Sequence, residues 1–301
     1  MKNECIPNFF VVGAQKSGTT TIYALMRQHP ELFLPELKES HYFSLPAPDH
    51  IFSDLAAERM NQTAVRSFEA YQALFKNAGP QLRGEVCPTY LYPEFSAKRI
   101  SKAVPDAKIV IMLRNPVDRS FSAYRHMKAR GAEKASTFDE ALALETAHID
   151  DGWQDMGHYS RASRYFEQVK RYYDCFSSER IYITKFDDFV KDPISETNKV
   201  LEFLGVSPLP PTATIRQTNK THVIENGFLK NALANRRYGI ETLRKLLPSR
   251  YRGQLKEWLM NQLAAKPEKI TDATRETLKA SFLSDIENLE KLTKISFNDW
   301  K

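Results

Sequence analysis

Cysteine is scarce in this chain: Cys5, Cys87 and Cys175 are the three among 301 residues, an odd number with no metal-type spacing. A disulfide scaffold and a zinc module are both excluded, and a reducing compartment is the simplest expectation. No apolar run approaches the roughly 18 residues that suggest a membrane helix, and the opening Met1-Lys2-Asn3-Glu4-Cys5 lacks an apolar leader core. The sequence therefore predicts a soluble, cytoplasmic protein without a membrane span. Glycine is sparse too, at 11 residues, and no Gly/Ser-rich linker, repeat or low-complexity segment divides the chain. A single domain over 1–301 follows, with no boundary for a second. Lys and Arg outnumber Asp and Glu by 43 to 37, a net charge of +6, yet no long basic run occurs. That balance favours an anionic ligand and offers nothing that reads nucleic acid.

What is present suits a large core: 42% of residues are hydrophobic and 11% aromatic. Asn8-Phe-Phe-Val-Val-Gly13 is an apolar run closed by glycine, the pattern of a strand covered on both faces. Thr20 to Gln28 then reads as a helix. Lys108-Ile-Val-Ile-Met-Leu113 predicts a second buried strand, followed by a helix from Val117 to Arg130. A helix from about Tyr159 to Tyr173 precedes a third strand, Ile181 to Phe186, and Arg83 to Cys87 adds a short fourth. Strands alternating with helices imply an α/β, P-loop-like three-layer sandwich on a central, mostly parallel sheet. Residues 45–80 lack strand signals and are expected to form a helical insertion. The region 215–301 is expected to be helical, ending in an amphipathic stretch from Thr271 to Leu292.

Two segments carry chemistry. Gly13-Ala-Gln-Lys-Ser-Gly-Thr-Thr20 joins the first strand to its helix, where backbone N–H groups and the helix dipole favour a phosphate. The glycine spacing matches a kinase-type phosphate loop, but Thr19 stands where that loop carries its lysine. Lys16 comes earlier, suited to the oxygen that bridges a phosphate to a transferable group. The second segment, Leu113-Arg-Asn-Pro-Val-Asp-Arg-Ser-Phe-Ser-Ala-Tyr-Arg-His126, leaves the carboxyl end of a buried strand, where open α/β sheets bind ligands. Arg114 with Ser122 makes a receptor for a terminal phosphate, and His126 follows Ser122 at i+4 on the same helix face.

Together these segments resemble the 5′-phosphosulfate loop and the 3′-phosphate motif of sulfotransferases that use 3′-phosphoadenosine 5′-phosphosulfate (PAPS). More closely, the chain resembles bacterial relatives of the heparan sulfate sulfotransferase group. The likeness extends through Gly157-His-Tyr159, Ile181 to Asp192, Phe203-Leu-Gly205 and the terminal Leu289 to Trp300. It implies that Lys16 meets the phosphosulfate bridge and that Ser17, Gly18, Thr19 and Thr20 bind the 5′-phosphate. Arg114 and Ser122 would bind the 3′-phosphate, leaving adenosine 3′,5′-bisphosphate as product and needing no metal. The stretch Leu37-Lys-Glu-Ser-His-Tyr-Phe43 is similar to a family segment whose glutamate is the catalytic base, which maps to Glu39, with Lys38 and His41 beside it. A carboxylate in that position can take the proton of an acceptor hydroxyl as the S–O bond forms. His126 matches a histidine that lies at the active site in part of the family. Glu85-Val-Cys-Pro-Thr-Tyr90 resembles a segment lining the acceptor cleft, so Glu85 and Tyr90 are expected to bind acceptor along with Lys38 and His41.

Two departures bear on the acceptor. Val86 stands where several glycan-modifying relatives carry lysine, and no cysteine follows Cys175, so the disulfide-closed loop that covers the nucleotide in heparan sulfate enzymes is excluded. Lys220 or Arg237 is expected to take over that task. The sequence thus predicts in-line transfer of a sulfuryl group to a hydroxyl or amine of a small-molecule or glycan acceptor, a saccharide or other bacterial metabolite. Tyr42, Phe43, Tyr90, Tyr92 and Trp153 could line the acceptor cleft or belong to the core. Three other readings stay open: a magnesium-dependent P-loop kinase, a nucleotide- or glycan-binding protein without transfer, and, on charge alone, a nucleic-acid binder.

Overall fold

A computed structural model of the chain describes residues 5–215 and 268–301. The elements run β1 (Phe9–Gly13), α1 (Thr19–Met26), β2 (Leu32–Phe33), α2 (Glu58–Thr63), α3 (Phe68–Ala73), β3 (Leu82–Val86), α4 (Ser96–Ala103) and β4 (Lys108–Leu113). They continue with α5 (Pro116–Ala129), α6 (Phe138–Ala143), α7 (Glu145–Asp150), α8 (Phe166–Tyr173), β5 (Ile181–Lys185), α9 (Phe186–Lys191), α10 (Pro193–Leu204) and α11 (Asp272–Thr293).

The five strands form one parallel sheet in the order β2-β3-β1-β4-β5. Every residue of β1 is buried, as are all but the first of β4, which is why both read as unbroken apolar runs. Their side chains alternate between the two faces of the sheet. Phe10, Val12, Ile109, Ile111 and Leu113 join a core with residues of α4, α5, α8 and α11, while Phe9, Val11, Val110 and Met112 join one with α1 and α10. Helices on both faces give the three-layer sandwich expected from the alternation of strands and helices. A Cβ on Gly84 would lie 1.9 Å from the Phe9 ring, so glycine is what lets that ring cross the neighbouring strand.

Strand order sets the site. From β1 the chain moves outward to β2, returns through β3, then crosses β1 to place β4 on the other side. The order therefore reverses between β1 and β4, and ligands of open α/β sheets bind beyond the carboxyl ends at such a reversal. The loops leaving those two strands are the two phosphate-type segments.

The segment 45–80 is less helical than expected. It holds α2, α3 and one 3₁₀ turn (Leu55–Ala57), with irregular chain between. It is tied to the loop before residue 155: Ser53 N donates to Gly152 O (3.1 Å), and buried Asp54 accepts from Gln154 N (2.8 Å) and Gln154 Nε2 (3.0 Å). The helix expected from Tyr159 is shorter, beginning at Phe166 after a 3₁₀ turn (Arg161–Ser163). In the C-terminal region, α11 buries Leu278, Phe282, Ile286 and Leu289 in the core shared with β1 and β4. Among the described residues no helix is long and apolar enough to cross a membrane.

Candidate functional site

The loop after β1 is held open by its own backbone. Gly18 caps α1 with φ 84°, in the left-handed region, and a Cβ there would lie 3.1 Å from the Phe186 ring, so both strain and space demand glycine. Lys16 also has positive φ, 69°, a conformation uncommon for a residue with a side chain. The first amides of α1 have no intrahelical acceptor and face the loop. Ser17 is fully buried, yet its Oγ has no hydrogen-bond partner in the structure. A buried hydroxyl without a partner, beside free amides at a helix start, fits a phosphate oxygen.

The second segment starts its helix at the end of β4. Asn115 Oδ1 accepts from the amides of Val117 (3.0 Å) and Asp118 (3.4 Å), and Pro116 fills the first helical position. Arg119, Ser122, His126 and Arg130 then fall at spacings of three and four along one face of α5. Arg114 Nη1 donates to Lys16 O (3.2 Å) and Arg119 Nε to Gln15 O (3.4 Å). Because a peptide unit is planar and trans, drawing the Gln15 carbonyl toward Arg119 turns the Lys16 N–H away from it. The lysine side chain returns toward α5, where Nζ lies 3.3 Å from His126 Nδ1. Arg114 also stacks 4.7 Å over Phe186, the ring that packs on Gly18.

The resulting locus gathers positive charge. Arg119 is 1% exposed, and each partner the structure gives it is a carbonyl or a hydroxyl: Gln15, His158, Tyr159 and Ser163. Burial, with Arg114, Arg119 and Arg130 nearby, lowers the Lys16 pKa to about 8. Burial and the Lys16 charge lower His126 to about 3, so at neutral pH its ring is uncharged and Nδ1 can accept from the ammonium. Ser122 is half-buried on the same helix face.

A second wall, within electrostatic reach of Lys16 and His126, comes from residues 38–41. Glu39 and His41 both take left-handed backbone, with φ 68° and 60°. Glu39 pairs with Lys38 and keeps 32% of its side-chain surface. Burial raises its pKa, but Lys38 and His41 outweigh that and leave it lowered, so the carboxylate is ionised at neutral pH. Its charge reaches both Lys16 and His126. His41 is 5% exposed, with Nδ1 3.0 Å from Thr89 Oγ1, and burial lowers its pKa to about 4.

Glu85 and Tyr90 sit behind this wall, at 3% and 0% exposure, and bond to one another (2.9 Å). The structure thus brings Lys16, Ser17, Gly18, Thr19, Thr20, Arg114, Ser122 and His126 to one locus, with Lys38 and Glu39 facing it. His41, Glu85 and Tyr90 are buried under that face. Lys220 and Arg237 lie outside the described residues. Among the described residues no group of three His, Cys, Asp or Glu side chains converges to hold a metal ion.

Arg119 and Phe186 enter this site without having been singled out by the sequence. Arg119 was open to detection, since it precedes Ser122 by three and His126 by seven on a helix whose binding face those residues define. Phe186 carried no signal, because its role comes from Gly18 and Arg114, which are remote in sequence.

Comparison with known proteins matches residues 7–211 to the sequence model described as "Sulfotransferase family". Bifunctional heparan sulfate N-deacetylase/N-sulfotransferase 4 of Mus musculus is 27% identical over 212 residues, 67% of this chain and 23% of the mouse protein. Carbohydrate sulfotransferase 15 of Mus musculus is 25% identical over 252 residues, covering 68% and 45%. The chain thus spans under a quarter of the first relative's length and under half of the second's. A crystal structure of a sulfotransferase from Alicyclobacillus acidocaldarius superposes with a TM-score of 0.75 at 31% identity, covering 98% of both chains. The sulfotransferase domain of the curacin biosynthetic pathway shares the fold, with a TM-score of 0.50 at 15% identity, covering 93% of this chain and 98% of that one. The phosphate-type loop after β1 and the arginine-bearing helix after β4 both lie inside the matched residues, and this chain belongs to the sulfotransferase family.

Proposed function

We propose that the protein transfers a sulfuryl group from PAPS to a hydroxyl or amine of an acceptor, with Glu39 as general base. The observation that carries this reading is the meeting of Lys16 with His126 and Arg114, with the Glu39 carboxylate within electrostatic reach. PAPS supplies the sulfuryl group together with a phosphate that leaves readily as an anion.

The chain's own residues do the rest. The free amides at the start of α1 and the Ser17 hydroxyl receive the 5′-phosphate, and Arg114 with Ser122 receives the 3′-phosphate. Lys16 directs its ammonium at the bridging oxygen and stabilises the charge that develops there. His126, uncharged, accepts a hydrogen bond from Lys16 and holds that ammonium in place. Glu39 removes the acceptor's proton while the acceptor atom approaches sulfur in line with the departing oxygen. A saccharide acceptor is favoured because relatives named for heparan sulfate and for carbohydrate match two-thirds of the chain. The fold alone does not select it.

Thermal unfolding with adenosine 3′,5′-bisphosphate, against ADP with magnesium, tests the donor. A ligand that binds the folded state raises Tm in proportion to its occupancy. A rise with the bisphosphate and little with ADP is expected; the reverse would return the loop to a kinase role. Release of bisphosphate from PAPS is then followed with a panel of desulfated glycans and simple alcohols. Glu39→Gln should lower that turnover by on the order of 10²–10⁴-fold, and near-normal turnover removes the base assignment.

A further inference from the structure

We infer that Glu85 and Ser40 are positioning residues: a buried carboxylate on β3 clamps the Ser40 hydroxyl and so fixes the two left-handed residues on either side of it, one of which is Glu39. The inference rests on Glu39 being the base. It gives Glu85 a task away from the acceptor.

Each oxygen of Glu85 is taken. Oε1 accepts from Ser40 Oγ (2.5 Å) and from Tyr90 OH (2.9 Å), and Oε2 accepts from Tyr71 OH (2.5 Å). Ser40 Oγ is itself 2.9 Å from Tyr90 OH, and Ser40 O accepts from Val65 N (2.8 Å). Ser40 is 0% exposed and Glu85 3%. Burying a carboxyl among aromatic rings is unfavourable unless its oxygens are satisfied, and here three hydroxyls meet two oxygens. Burial still raises the Glu85 pKa above the ordinary carboxylate value.

The geometry explains how the clamp reaches Glu39. Left-handed backbone costs about 1 kcal/mol or more for a residue with a side chain, and it persists where its surroundings over-determine it. Glu39 and His41 both adopt it, and Ser40 between them is held through its side chain and its carbonyl. His41 is held in turn by Thr89, three residues along from Val86, where β3 ends. Glu85 rides opposite Phe10 in the β1–β3 register. The strand that ends in the Lys16 loop and the strand that clamps the base are thus neighbours in one sheet. Their spacing sets Glu39 against Lys16.

The test compares two losses of one hydrogen bond to the same carboxylate. Ser40→Ala frees the Glu39 loop, whereas Tyr71→Phe removes a donor on the far oxygen and leaves the loop attached. Release of bisphosphate from PAPS with the acceptor panel gives kcat and the donor KM, and thermal shift with adenosine 3′,5′-bisphosphate gives donor affinity. Ser40→Ala should lower kcat by on the order of 10²-fold, the penalty of a displacement near 1 Å, with donor KM and affinity within about twofold. Tyr71→Phe should keep kcat within a few-fold, even if its Tm falls as far. Equal kcat losses in Ser40→Ala and Tyr71→Phe, or a Ser40→Ala defect confined to donor KM, overturn the positioning role. Glu39→Gln separates the two readings. If it is inactive while Ser40→Ala turns over normally, the clamp is wrong and the base stands. If Glu39→Gln turns over normally, the base falls and the clamp with it.

Discussion

The two walls of the site are built on opposite principles. On the Lys16 side, cations are placed side by side: Arg114, Arg119 and Lys16 converge, and the partners of Arg119 are carbonyls and hydroxyls. On the Glu39 side, each charge has been given a partner: Lys38 for Glu39, and three hydroxyls for Glu85. The first wall leaves positive potential unspent until a polyanion arrives, which suits ligand binding. The second spends its polar groups internally and fixes the direction of one carboxylate, which suits proton transfer. Affinity and turnover should therefore separate by mutation.

After Glu39→Gln, the largest effect expected is on the Lys16 wall, at Lys16 itself. Lys16→Ala should reduce turnover by on the order of 10²–10³-fold, the scale of a lost transition-state donor. It should weaken ground-state binding of PAPS far less, because the bridging oxygen carries little charge until transfer begins. A titration calorimetry Kd for PAPS that rises as steeply as kcat falls would merge the two walls again.

Arg119→Met comes next. It strips a donor from the Gln15, His158 and Tyr159 carbonyls and should cost about 2–3 kcal/mol of stability, read as a lower Tm. Bisphosphate affinity should fall as well, whereas the Ser40→Ala defect leaves it intact. An unchanged affinity at lowered Tm would reduce Arg119 to a structural strut.

The third effect is on pH. In the proposed mechanism Lys16 must be protonated to stabilise the leaving oxygen, and its free-enzyme pKa is lowered to about 8 by burial and neighbouring arginines. The value of kcat/KM for the donor should then fall as pH rises through about 8, since that parameter follows the free enzyme. Removing the Arg119 charge should move this limb to higher pH. A flat profile to pH 10 would mean the cations do not act on Lys16 as the burial and spacing imply.

The smallest effect is Gly18→Ala. Positive φ and the close Phe186 ring should cost about 1–2 kcal/mol in Tm and a few-fold in bisphosphate affinity, with little change in kcat.

The Lys16 wall was far more legible in sequence than the Glu39 wall. Asn8 to Gly13 and Lys108 to Leu113 announced themselves because a strand buried on both faces needs a continuous apolar run. The loop residues Lys16 to Thr20, and Arg114 to His126, lie within a few positions of those strands, so local spacing carried them. β2 escaped because two residues carry no period. The 45–80 segment reads as helical from its lack of strand signals, yet caps at Asp54 and Ser67 start elements of only three and six residues. Glu85 and Tyr90 resembled cleft residues by position in a motif. Glu85 is satisfied in the core by Ser40 and Tyr71, which reach it from 45 and 14 residues away and leave no local trace. His41 stands two residues from Glu39 in sequence, and its contact with Thr89 leaves no local trace for the same reason.

The bond between Asp54 and Gln154 sets a rule for anyone wishing to retarget the enzyme. Acceptor choice in such folds lives in variable loops, here expected at roughly 45–80, 127–160 and 215–255, the last largely outside the described residues. The first two are latched together by one buried carboxylate. A graft of either segment alone would strand the other's half of the latch, a buried amide or a buried acid, at about 1–3 kcal/mol apiece. Chimeras that exchange both segments as a unit should express and fold, while single exchanges accumulate as insoluble protein. The two loops are one exchangeable part.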